Sequence, residues 1–422
     1  MCLAGHEAKR KDGLEIQLNI DQNEKPKDKL AADHFFSSLL GTRLSLSSLI
    51  KKIPVYAPVI DEQDMRYVAD AMKAGDVSGT GGEYLERFEA DFASYCSCRH
   101  GVATSSGTTA LHLALAALGI GPGDEVLAST FTNMATFFAV VYAGAHPVPI
   151  DIESDTWNLD PRQIESKITS RTRALLVVHI YGHPVDMDPV LEVARRHNLA
   201  VIEDAAEAHG ALYKGRKAGS LGDIACFSFY ANKILTTGEG GMVTTSRDDL
   251  AARARLLRGL AYGTQQRFMH RDVGFNYRLT NLQAALGCAQ LQKIDSVIAA
   301  KRRVACLYDQ GLESTPGLQR PVEKPYARSV YWMYHVVLRE RLRGQREKLL
   351  EWLAQRGIET REAFIPYNMQ QIFIDRGWTR KEECPVANDV AQNGFYLPSS
   401  PRLSEEDIHS VTAALRESIS SI

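Results

Sequence analysis

The sequence predicts an α/β fold, with a large, mostly parallel sheet followed by a smaller α+β part. Strand-like and helix-like segments alternate from about residue 83 to 246, the pattern of a sheet with helices on both faces. Two runs, RALLVVHIYG at 173–182 and LAVIEDAA at 199–206, are nearly unbroken apolar stretches, as parallel strands buried on both faces require. After about residue 295 the texture changes to helical segments, then YWMYHVVL at 331–338 as a strand and a helix across 346–356.

The elements follow in order. Leu85, Phe88, Phe92 and Tyr95 fall at helical spacing between Glu83 and Cys96. GVATSS (101–106) predicts a short strand, and GTTALHLALAALG an apolar helix ending at Gly119. Then come strand EVLAS (125–129), a helix over 134–143, strand PVPIDI (147–152) and a helix over 161–168. The run 173–182 is a strand, 188–197 a helix, and 199–206 a strand; CFSFY (226–230) and GGMVTTS (240–246) complete the set. We read residues 53–294 as the large domain and 295–422 as the small one. Residues 1–52, charged and turn-rich apart from FFSSLLGTRLSLSSLIKK, form an N-terminal appendage, partly disordered.

Composition narrows the function classes. Over 422 residues, 45% apolar and 24% charged content excludes a collagen, a long coiled coil and a wholly disordered chain. Lys plus Arg number 49 and Asp plus Glu 51, so there is no overall electrostatic pull toward nucleic acid or an anionic membrane. Seven scattered cysteines with no C-x-x-C give neither a zinc spacing nor a disulfide framework and read as reduced cytosolic thiols. No signal peptide or membrane span is expected, so the expected location is the cytoplasm.

Three segments carry chemistry. At Ser105-Ser106-Gly107-Thr108-Thr109 a helix starts with a glycine and hydroxyls. That arrangement can hold a phosphate on free N–H groups, or it can be a plain Ser/Thr cap. Glu203 and Asp204 close an apolar strand, where open α/β sheets place ligands; a capping Asp is the plainer alternative. Lys233 sits between CFSFY and TTGEGG. A lone lysine is ordinarily a solvated surface residue, but a partly desolvated one has a lowered pKa and acts as an imine-forming amine and proton carrier. Taken together the trio describes a pyridoxal 5'-phosphate site: a helix start for the phosphate, an Asp for the pyridine nitrogen and a Lys for the aldehyde.

The motifs SSGTTALHLALAALGIGPGDEV, YGHPVDMDP, VIEDAAEAHGALYKGRKAGSLGDIACFSFYANK, TTGEGGMV and GFNYRLTNLQAALGCAQL resemble the DegT/DnrJ/StrS family of sugar-nucleotide aminotransferases, of the aspartate-aminotransferase fold type. The resemblance runs from about Ile53 to the C-terminus. It implies pyridoxal phosphate carried on Lys233, with Asp204 at the pyridine nitrogen and Glu207 near the phenolic oxygen. Gly107, Thr108 and Ser228 are implied phosphate contacts. Asn276 and Arg278 belong to a loop that, in the family, reaches across a homodimer toward the neighbouring phosphate. The implied reaction moves an amino group from L-glutamate to a nucleotide-linked 4-keto-6-deoxyhexose for surface polysaccharide or glycoconjugate synthesis.

One departure is Asn133, where relatives commonly stack an aromatic residue on the cofactor ring; Phe131 is the nearby aromatic alternative. A dehydratase of the same fold and a non-catalytic cofactor-binding regulator are the competing readings. Dehydratases of this type carry histidine where Lys233 stands. A zinc pair at His179 and His183 is not expected, because Gly182 and Pro184 break any helix joining them. His183 reads as a turn or site-lining residue, and Tyr331, Trp332, Tyr334 and His335 as a strand of the small domain with core packing on one face.

Overall fold

A computed structural model describes residues 51–262, 266, 268–270 and 272–422. The chain divides into Met1–Lys51 and Lys52–Ile422, and only the second unit concerns us. The expected N-terminal appendage over 1–52 lies outside the described residues apart from its last two.

The large sheet contains β1 (His100–Thr104), β2 (Glu125–Ser129), β3 (His146–Ile150), β4 (Thr172–Val178) and β5 (Ala200–Asp204). A hairpin, β6 (Leu212–Tyr213) and β7 (Arg216–Lys217), precedes its last two strands, β8 (Ile224–Ser228) and β9 (Gly241–Thr245). The spatial order is β1-β9-β8-β5-β4-β2-β3. Neighbours from β8 to β3 pair in parallel, and β9 is antiparallel to both β8 and β1. The reversal follows from the connection. Residues 229–240 return directly without a crossover helix, which parallel neighbours need. Every position of β2, β8 and β9 is buried, so these apolar runs fit a sheet covered on both faces.

The helices of eight residues or more begin with α1 (Glu62–Ala74), α2 (Glu83–Tyr95), α3 (Gly107–Ala117), α4 (Ala135–Tyr142) and α5 (Met187–His197). They continue with α6 (Asp248–Arg258), α7 (Asn281–Gln292), α8 (Ile294–Gly311), α9 (Arg346–Gln355), α10 (Pro385–Asn393) and α11 (Glu405–Ser421). Helix α3 is buried continuously from Ala110 to Leu115, as an all-round apolar helix must be.

After α8 comes a four-stranded antiparallel sheet of β10 (Leu318–Gln319), β12 (Tyr334–Leu338), β13 (Arg361–Glu362) and β14 (Gly394–Leu397), in the order β10-β12-β14-β13. Between β10 and β12, β11 (Ala327–Arg328) pairs instead with β6 of the hairpin. All large-sheet strands precede Ile294 and all small-sheet strands follow it. One hydrophobic core nonetheless runs through both, with Val330, Trp332 and Met333 packed into the same cluster as Phe227, Phe229 and Ile202.

Three expected elements stop short. The run at 173–182 leaves the sheet after Val178 and makes a 3-10 turn over Ile180–Gly182, with Tyr181 left-handed at φ 52°. The strand expected over 331–338 begins only at Tyr334, because Tyr331 is also left-handed, at φ 47°. The helix expected over 161–168 is a 3-10 turn at Pro161–Gln163 followed by a single helical turn.

Candidate active site

The C-terminal ends of β5 and β8, the start of α3 and the loop after β8 converge on a cavity of about 290 Å³. Gly107, Thr108, Asp204, Glu207, Ser228 and Lys233 all line it. Asn276 and Arg278 do not line it within the one chain; their loop packs behind β1, where Tyr277 O accepts from the Ser105 N–H at 2.8 Å.

At one end, Ser106 caps α3. Its hydroxyl accepts from the Thr109 N–H, and the Thr109 hydroxyl accepts from the Ser106 N–H, which makes a capping box. Gly107 and Thr108, the first two residues of the helix, have no carbonyl one turn back to bond, so their N–H groups suit an anion. A Cβ on Gly107 would stand 2.7 Å from the Ser228 Cβ, so glycine is what lets the helix start and β8 approach here. Both readings of this segment hold together: Ser106 is the cap, and the residues after it line the cavity.

Midway, Asp204 closes β5 and is 6% exposed. The Thr136 hydroxyl on α4 donates to its Oδ2 at 2.8 Å and the Ala206 N–H to its Oδ1 at 3.2 Å. Burial raises its pKa, against those two donors. No cation among the described residues pairs with it, so its chemistry calls for a cationic N–H from a ligand.

Lys233 has a side chain 11% exposed, with Nζ 3.9 Å from Glu207 Oε1 and 3.9 Å from the centre of the Trp332 ring. Burial lowers its pKa, opposed by Glu207 and Asp204. Burial pushes Glu207 up to about 7, opposed by Lys233 and by the Tyr181 N–H, which donates to Oε2 at 2.7 Å. The left-handed turn at Tyr181 aims that N–H into the site. The backbone beside Lys233 is pinned twice. The Tyr56 hydroxyl donates to the Lys233 carbonyl and the Trp332 indole N–H to the Asn232 carbonyl, each at 2.8 Å.

Trp332, Phe364 and Tyr396 come from the small part and line the cavity; sequence reasoning assigned Trp332 to strand packing and passed over the other two. Aromatic residues in a half-alternating run give no local sign of which one faces a distant pocket. Asn133 lines the cavity, but its Oδ1 accepts from the Ala135 N–H at 3.0 Å and so serves the start of α4. Phe131 is no substitute for a ring-stacking residue. It is fully buried, edge-on to Tyr181 and Phe364.

The two histidines part company. The Val185 N–H donates to His179 Nδ1 at 3.1 Å, which leaves Nε2 to donate to Glu203 at 3.0 Å beneath the sheet. His183 is a buried turn residue outside the cavity, accepting from the Lys324 N–H. Among the described residues no group of three or more His, Cys, Asp or Glu is placed to hold a metal, and no helix is long and apolar enough to cross a membrane.

These features fit pyridoxal phosphate: a helix start with free N–H groups, a buried carboxyl lacking a cationic partner, and an amine with a lowered pKa, all lining one cavity. Known proteins point the same way. Residues 58–416 match the DegT/DnrJ/EryC1/StrS aminotransferase family. The chain is 47% identical to GDP-perosamine synthase of Caulobacter vibrioides, over 87% of this chain and 98% of that protein. It is 38% identical to GDP-perosamine synthase of Escherichia coli O157:H7, over 87% and 99%. Among solved structures, Streptomyces venezuelae DesV in complex with a ketimine intermediate matches with a TM-score of 0.80 at 38% identity, covering 85% of this chain and 95% of that one.

Proposed function

We propose that this chain, which belongs to the DegT/DnrJ/EryC1/StrS aminotransferase family, uses L-glutamate to aminate the ketone of a GDP-linked 4-keto-6-deoxyhexose. Its cofactor is pyridoxal phosphate. The observation that carries the reaction class is the meeting of Lys233, Asp204 and the Gly107–Thr108 helix start around one cavity. The choice of GDP sugar rests on the likeness to the two GDP-perosamine synthases.

When bound, the cofactor supplies an aldehyde that accepts the amino group and an electron-withdrawing ring that takes up the electron pair. Gly107, Thr108 and Ser228 would hold its phosphate, and Asp204 would keep a proton on its ring nitrogen. Glu207 faces the same amine as the substrate does. Lys233 Nζ, its pKa lowered by burial, takes the proton from the donor's α carbon and, once protonated, returns a proton to the carbonyl carbon of the acceptor. Trp332 and Tyr56 hold this lysine where both carbons can reach it.

The protein is read as a cytoplasmic homodimer in which Asn276 and Arg278 of each copy serve the other's pocket. In support, both lie outside the cavity of their own chain, and Val273 just before them is 82% exposed. The test is a panel of GDP-, UDP- and dTDP-linked 4-keto-6-deoxyhexoses with L-glutamate, the aminated carbon being read by NMR. Amination of the GDP sugar at C4 is expected. Loss of a hydroxyl in place of amination, or turnover confined to another nucleotide, overturns the reading.

A further inference from the structure

Lys301, on α8, is 2% exposed, and no carboxylate pairs with it among the described residues. A buried ammonium without a counter-ion is costly, and an aliphatic side chain would fill the same space. What the lysine adds is donors. Its Nζ donates to the main-chain carbonyls of Trp332 and Ser399, each at 2.5 Å, and lies 5.2 Å from the centre of the Tyr56 ring. Burial pushes its pKa down to about 7.

All three contacts lead toward the pocket. The Trp332 ring lies under Lys233 Nζ, and its indole N–H holds the Asn232 carbonyl. The Trp332 N–H donates to Tyr181 O at 2.8 Å, and the Tyr181 N–H holds Glu207. The Tyr56 hydroxyl holds the Lys233 carbonyl. Ser399 fixes the far side, with its N–H on Val55 O and its hydroxyl accepting from the Tyr334 N–H. One buried cation thus joins three chain segments that surround the lysine of the site.

We propose that Lys301 is a positioning residue for the pocket amine, tying the backbone at Trp332 and Ser399 so that the indole stays seated under Lys233. The proposal rests on Lys233 being the transferring amine. Lys301 does not line the cavity, so its loss acts on the rate of proton movement and on the asymmetry around the bound cofactor. Binding of the donor is left alone.

The test compares Lys301→Met and Lys301→Gln in the cofactor-loaded, full-length protein, each also in a Trp332→Ala background. Lys301→Met is expected to lower kcat about tenfold or more, the scale for a slightly misplaced reacting group, with the KM for glutamate little changed. The visible circular dichroism of the bound cofactor should fall with it. Lys301→Gln, which keeps two N–H donors on a shorter stem, should fall between Met and wild type. In the Trp332→Ala background either variant should add less than about twofold, because contacts that act through one group are not additive.

Unchanged kcat and dichroism in Lys301→Met overturn the proposal, as does a full multiplicative loss on top of Trp332→Ala. If the Met variant does not fold, the Gln variant carries the same cycle; if neither folds, Lys301 is a stability residue and the proposal fails. Lys233→Ala separates this from the functional reading. Retained turnover there sinks the role of Lys233 itself, whereas lost turnover with an additive cycle sinks only the role of Lys301.

Discussion

The Glu207 carboxyl stands 3.9 Å from the Lys233 ammonium, with the glutamate buried and the lysine side chain 11% exposed. Burial drives both toward their neutral forms, while each one's charge favours ionisation of the other. In a pair coupled in this way the protonation state of each group sets that of the other, and a proton can move between them without a net charge being stranded in the pocket.

Glu207→Gln removes the anion nearest the amine but keeps an oxygen for the Tyr181 N–H. The Lys233 pKa should then fall further, because the neighbouring opposite charge that opposes the effect of burial is gone. The pH dependence of amine-reagent labelling at Lys233 in cofactor-free protein, read on the peptide by mass spectrometry, checks it. An unchanged or higher midpoint would mean the carboxyl does not support the ammonium.

Asp204→Asn keeps one oxygen to accept from the Ala206 N–H and turns an amide NH2 toward the Thr136 hydroxyl, which can accept from it, but loses the negative charge. Turnover should drop about 10²–10³-fold, as for removal of one preorganised electrostatic partner, with the melting temperature close to that of the parent. Steady-state kinetics beside a thermal melt separate the two effects.

Gly107→Ala places a methyl 2.7 Å from the Ser228 Cβ. Overpacking of this kind costs about 1–3 kcal/mol, so cofactor affinity should fall about fivefold or more. Gly121→Ala is the control, because its Cβ meets nothing nearer than 3.7 Å. Fluorescence titration with pyridoxal phosphate measures both.

His335 predicts the acid behaviour of the fold. Neither ring nitrogen has a hydrogen-bond partner, and burial holds its pKa down to about 3. An unfolded histidine titrates near about 6.5. The unfolded chain therefore binds the extra proton first, and the stability present above that value is lost as pH falls toward 3, by about 1.4 kcal/mol per pH unit. His335→Leu should flatten the slope of the urea midpoint between those limits, whatever its effect on the level. An unaltered slope would contradict the burial argument.

What could be read along the chain was what is encoded locally. Ser106, Gly107 and Thr109 write a helix cap at a strand end, and LAVIED writes a buried strand with its acids at the ligand end. Lys233 was readable because TTGEGG begins only three positions after it, at Thr236. The reversal of β9 was not readable, because nothing in GGMVTTS marks strand direction; the length of the connection decides it. Tyr181 ends one strand early and Tyr331 delays the start of another through left-handed backbone at tyrosines, where no glycine gives notice. The roles of Trp332, Tyr56 and Lys301 at the site were not legible because their partners lie far away along the chain: Trp332 and Asn232 are 100 positions apart, and Tyr56 and Lys233 are 177 apart.

The most direct measurement is borohydride reduction of the cofactor-loaded protein followed by peptide mass mapping. The cofactor should be found fixed to Lys233, and Lys233→Ala should neither take up the label nor aminate the GDP sugar. A label on any other lysine, or turnover retained in that variant, would contradict the assignment of Lys233 as the amine at the centre of the site.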